Sequence, residues 1–90
     1  MPEEMLLLRN ALKARGIPYI NASDNLDRSF PLLNLIIYRT RFMYKGEIWI
    51  VISGYGTMGG DKGLLELRRE NKDVVGCLTA KKILEELDYA

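Results

Sequence analysis

Residues 35–53 read LIIYRTRFMYKGEIWIVIS, and the fold depends on how this stretch turns back on itself. It is crowded with β-branched and aromatic residues, the composition of strands. Its only break, Tyr44-Lys45-Gly46, marks a hairpin. Gly46 can take the left-handed position that closes a three-residue loop. In that register Met43 faces Glu47, Phe42 faces Ile48 and Arg41 faces Trp49. One face then carries Tyr38, Thr40, Phe42, Ile48, Ile50 and Ile52, and the other Arg39, Arg41, Met43, Trp49 and Val51. A two-residue loop at Lys45-Gly46 shifts the pairing by one residue and sets two arginines among three isoleucines. Burying unpaired charge is costly. The three-residue register is therefore expected, with guanidiniums and indole emerging together on the side away from the isoleucines.

Working outward, Pro2, Glu3 and Glu4 open a helix. Proline suits a first turn, and acids face the positive end of the helix dipole. Met5, Leu8 and Leu12 give an apolar stripe, and Gly16 is a left-handed stop, so residues 3–15 are predicted helical. Ile17 to Ile20 is a short strand candidate. Residues 21–34, NASDNLDRSFPLLN, are turn-rich, with Phe30 and Leu32 as anchors to the core. Downstream, LLELRREN (residues 64–71) alternates in a way that suits a further strand and is also compatible with a helical turn. Thr79 is a good N-cap, Leu78 and Ile83 have the spacing of a hydrophobic staple, and Ala80, Ile83, Leu84 and Leu87 make a stripe. The order α-β-β-β-β-α predicts one α+β domain over residues 1–90. It has a small antiparallel sheet of three to four strands, with the N-terminal and C-terminal helices on one face.

Composition narrows the function classes. Thirteen basic and twelve acidic side chains leave a net charge of +1, which argues against a protein that binds nucleic acid through bulk charge. With one cysteine, Cys77, and no histidine, neither an intramolecular disulfide nor a Cys/His metal site can form, and the commonest general base is missing. The opening MPEEMLLLRN lacks the basic start of a signal peptide, and no apolar run approaches the roughly 20 residues of a membrane span. The expectation is a cytoplasmic protein that needs no membrane, metal or cofactor.

The ten residues GYGTMGGDKG, Gly54 to Gly63, contain a literal G-x-G-x-x-G. A dinucleotide site needs a helix starting within the glycines, and Gly59-Gly60-Asp61-Lys62-Gly63 is a poor first turn. A Walker A loop ends in G-K-[ST], whereas Lys62 is followed by Gly63. The loop reads first as a turn between strands, and second as a nest of backbone N–H groups for an anion. In the second reading Gly54, Tyr55, Gly56 and Lys62 join Arg39, Arg41 and Trp49, with cations for phosphate and rings for a base. Trp49 by itself reads first as core or interface packing, ahead of a ligand role, and Arg41 beside Trp49 reads as a surface cation–π pair. Cys77, with no histidine to activate it, reads as a small buried apolar residue. Asp61…Glu66-Leu67-Arg68 loosely matches the D…(D/E)-x-K pattern of metal-dependent nucleases, with arginine in the lysine's place.

The segment WIVISGYGTMGG…GLLE from Trp49 to Glu66, with Arg39, Thr40, Phe42, Tyr44 and Gly46 ahead of it and GCLTA behind, resembles small uncharacterised proteins encoded by phages and prophages of gram-positive bacteria. The likeness spans most of the chain and brings no activity with it. It implies an accessory phage protein acting in the bacterial host cell, where such proteins counter host defence. The first expectation is therefore a non-enzymatic, homo-oligomeric sponge that sequesters a small phosphorylated or nucleotide-like ligand. The alternative is a protein–protein inhibitor or interaction module docking through its apolar strand face, and a nuclease comes third.

Overall fold

The computed structural model describes residues 1–25, 36–54 and 56–90. Strands β2 (Ile36–Tyr44) and β3 (Glu47–Gly54) pair antiparallel, and Tyr44 opposite Glu47 leaves Lys45 and Gly46 alone in the turn. Both turn residues have positive φ, 51° and 79°. This is the signature of a type I′ turn, whose twist follows that of the strands it joins. The expected three-residue register is thus overturned: Phe42 faces Trp49 and Arg41 faces Ile50. The penalty held against this pairing does not arise, because the face bearing the arginines is open and Arg41 is exposed.

β1 (Tyr19–Asn25) lies on the outer side of β2, β4 (Leu65–Arg69) pairs with β3, and β5 (Val75–Leu78) pairs with β4. The α+β expectation holds, but the sheet has five strands in the order β1-β2-β3-β4-β5 rather than three to four. The added strand is Val75–Leu78, and a second piece of turn-like sequence lengthens the first strand. Residues 21–25 stay in β1, opposite Thr40 to Ile36 of β2, where the ladder outweighs local side-chain turn preferences. Val75–Leu78 forms an edge strand with a bulge. Residues 64–71, open to two readings in sequence, contain β4. Phe30 and Leu32 lie outside the described residues.

Helices α1 (Glu3–Ala14) and α2 (Ala80–Tyr89) pack on one face, as expected. Gly16, at φ 71°, ends α1, and the backbone N–H of Ile17 returns to the Leu12 carbonyl at 2.9 Å. Thr79 caps α2 by accepting the Lys82 N–H at 3.2 Å. Met5, Leu8 and Leu12 of α1 and Ala80, Ile83 and Leu87 of α2 bury against Phe42, Trp49, Val51, Leu65 and Leu67 of the sheet. Each large aliphatic side chain so buried contributes about 1.5–3 kcal/mol of transfer free energy. Arg9 ties α1 to β2. Its Nε donates to Thr40 Oγ1 at 2.8 Å and its Nη2 to the Arg39 carbonyl at 3.1 Å. Partial burial lowers the pKa of that guanidinium, an effect that Tyr19 and Tyr38 oppose.

Candidate functional site: the uncovered sheet face

Alternation along β2, β3 and β4 sorts the predicted site residues onto opposite sides of the sheet. Trp49 points to the helices and is fully buried. Its ring lies 5.8 Å from that of Phe42 in a stacked arrangement and 6.5 Å from Tyr44 edge-on. The Arg69 guanidinium covers the indole at 3.9 Å and is clamped by Glu47 through bonds of 2.6 and 3.2 Å. The same Arg69 bonds hold the Glu47 carboxyl below the ordinary glutamate range. The expectation that indole and guanidiniums share a face is therefore wrong. A two-residue turn inverts β3 relative to β2, and the large ring goes where apolar burial is available.

The other side carries Ile37, Arg39, Arg41 and Met43 from β2, Ile48, Ile50 and Ile52 from β3, and Glu66 and Arg68 from β4. No helix among the described residues covers it: both pack on the opposite side. Met43 is 61% exposed and Ile20 of β1 69% exposed, Ile48 and Ile50 are half-buried, and Ile52 is buried. Arg41 is exposed and makes no ion pair among the described residues. A depression of about 640 Å³ runs over this face, lined by Ile37, Arg39, Arg41, Ile48, Ile50, Ile52, Arg68, Arg69 and the exposed Glu70. A second hollow of about 290 Å³ adjoins it at Ile20, Arg41, Met43 and Ile48.

The glycine loop closes one end of the face. The Met58 N–H donates to Glu66 Oε1 at 3.1 Å, and Arg68 Nε donates to Glu66 Oε2 at 2.9 Å. Glu66 is only 4% exposed, a burial that its two charge-assisted bonds make tolerable. Both carboxylate oxygens are thus engaged in structure, and Asp61 sits on an exposed 3-10 turn, Gly60–Lys62. The nuclease-like spacing marks a structural anchor.

The loop's amides are largely spoken for. Besides Met58, the backbone N–H groups of Thr57, Gly60, Lys62, Gly63 and Leu64 donate to carbonyls within the loop, and the Cys77 N–H donates to the Met58 carbonyl at 3.1 Å. Glycine is needed here for close approach. A Cβ on Gly60 would strike the Gly54 carbonyl, and one on Gly76 would strike the Met58 side chain. Cys77, read as buried, is exposed instead. It stands at φ 56° in the bulge where Gly76 and Cys77 together oppose Glu66, and a bulged edge residue turns away from the core.

Of the expected ligand set, the structure joins Arg39 and Arg41 on the open face. Gly54 at the end of β3, Gly56 in the loop and Lys62 on the 3-10 turn form a separate, exposed or half-exposed group. Trp49 is in the core, and Tyr55 lies outside the described residues. The isoleucines of β3 were expected on the face away from the arginines, and Glu66 and Arg68 entered the sequence reading only through the nuclease-like spacing, not as part of this face. The Lys45-Gly46 pair held the signal, since two-residue turns are the commonest hairpin closure. Comparison with protein-family models, with curated proteins and with solved structures found no match.

Proposed function

We propose that this chain is a non-enzymatic interaction module that docks a protein partner on its uncovered sheet face. The observation carrying the reading is the half-buried pair Ile48 and Ile50, set between arginines beside the exposed Met43 and Ile20, on a face that no helix among the described residues covers. A domain of this size has little burial to spare, so apolar side chains left in the open call for a use. Arginine and methionine beside aliphatic residues are the mixture enriched where proteins meet. The resemblance to phage accessory proteins supplies a setting, the blocking of a host protein in the bacterial cell. A second reading keeps the small phosphorylated ligand, supported by Arg39, Arg41 and Arg68 lining one hollow. It no longer has the indole beside them to stack a base.

The test is a peptide-display selection against the intact protein, followed by binding to Ile50→Asp. Selected peptides are expected to lose at least about tenfold in affinity, while the buried Trp49 fluorescence shows the fold unchanged. Peptides indifferent to Ile50→Asp would overturn the docking reading. A thermal shift with nucleotides or inorganic pyrophosphate, abolished by Arg41→Ala, would replace it with the small-ligand reading.

A further inference from the structure

The register of the open face specifies more than a site. Arg41 pairs across to Ile50, and Ile50 across to Arg68, so one isoleucine stands in a row between two arginines. Adjacent strands lie about 4.8 Å apart, which puts the two arginine backbones roughly 10 Å from one another. That is about the diameter of an α-helix with its side chains. Above and below this row, Ile48 and Ile52 continue the apolar line along β3. Every strand from β2 to β4 is hydrogen-bonded on both sides, so an occupant of this face meets side chains and not free backbone.

We infer that the partner element is an amphipathic helix, apolar along one stripe and acidic on both flanks, lying along β3 between Arg41 and Arg68. This rests on the docking reading above and names its chemistry. The opposite face of the same sheet already takes two helices on an apolar stripe, and a third layer would complete a helix–sheet–helix sandwich. A narrow helical contact reaches the isoleucines and leaves the guanidiniums at its sides to meet carboxylates. A flat second sheet would trap those charges beneath it. A second copy of this chain is the poorer occupant. A two-fold pairing centred on Ile50 sets Arg41 and Arg68 against arginines of the other copy, and like charges so placed repel. Glu66 is buried and already bonded to Met58 and Arg68, so it offsets part of the Arg68 charge but offers the other copy nothing. The exposed Glu70 lies two residues beyond Arg68, outside the row of Arg41, Ile50 and Arg68, and Arg41 keeps the like-charge clash.

Two synthetic helical peptides test the inference on the full chain. Both carry the same leucine stripe, one flanked by glutamates and the other by lysines, and binding is read by fluorescence anisotropy. The acidic peptide is expected to bind at least about tenfold tighter, and to weaken as salt is raised. Arg41→Glu should remove or reverse that preference, and Ile50→Asp should abolish binding of both, with Trp49 emission unchanged in each variant. Equal or tighter binding of the basic peptide would overturn the inference. So would no binding of either peptide, or a preference that survives Arg41→Glu. Light scattering that reveals a dimer dispersed by Ile50→Asp would give the face to a second copy instead. Should display-selected peptides depend on Ile50 yet show no acidic bias, the helix inference falls and the docking reading stands.

Discussion

Trp49 and Ile50 are neighbours in β3 and live on opposite sides of one sheet. Trp49 is enclosed by Phe42, Tyr44 and the Arg69 guanidinium, with the helices beyond. Ile50 lies in a shallow hollow between Arg41 and Arg68. On the helix side, charge is admitted only when clamped: Arg69 is held by Glu47, and Arg9 by Thr40. On the open side Arg41 points into solvent beside apolar groups that nothing described covers. The first face has the properties of a core, and the second sets half-buried isoleucines beside exposed arginine. The contrast shows that β-branched composition alone does not tell which face of a strand is inside.

Substitutions can break or sharpen this contrast, and the largest effect belongs to the covered face. Trp49→Ala is expected to cost about 3–5 kcal/mol in chemical denaturation, a large part of the stability of a chain this size. A loss below about 1 kcal/mol would erase the distinction between the faces. Glu66→Gln comes next, at about 1–3 kcal/mol, because it removes the charge that Met58 and Arg68 bond. Its particular signature is faster hydrogen exchange at the Met58 amide. Gly46→Ala follows, at roughly 1 kcal/mol, since its φ of 79° strains any residue with a Cβ although the space around it is empty. If that variant is fully stable, the two-residue turn and the face assignment built on it are in doubt. Ile50→Ala should cost less than about 1 kcal/mol, well below the core value, since its side chain is only half-buried. The smallest effect is with pH. Arg69 depresses the Glu47 pKa, so the pair's stabilisation is present above the ordinary glutamate value and fades as pH falls through the lower, folded-state value. Denaturation midpoints taken from about pH 6 to about pH 3 should show this decline in the parent protein, and less of it in Glu47→Gln.

Much of the architecture was legible before any coordinates. The caps and stripes of both helices are local signals, and Thr79, Gly16 and the spacing of Ile83 and Leu87 appear in the structure in the expected roles. The strand character of residues 35–53 was equally plain, and the observed strands Ile36–Tyr44 and Glu47–Gly54 differ from it by one residue at each end. What failed depended on partners. Val75–Leu78 becomes a strand only because β4 offers an edge, and residues 21–25 only because β2 does. The candidate site failed in its most informative member. Arg39 and Arg41 belong together, as their alternation within β2 required, but Trp49 reaches their level across the turn and emerges on the far side. One residue more or less in that turn moves every β3 side chain to the other face, and local propensity barely separates the two outcomes.

By itself, then, the order of residues determined the helices, the main hairpin and the pairing of Arg39 with Arg41 on one side of a strand, since these follow from periodicities of 3.6 and 2 written into adjacent positions. Only the tertiary structure decided which side of the sheet the helices would cover, and hence that the indole is buried while Ile48 and Ile50 stay half-buried on the other side. That choice is a competition between whole faces for the limited apolar cover of two short helices. The larger ring, packed with Leu65, Leu67 and Val51, prevailed over the isoleucine row.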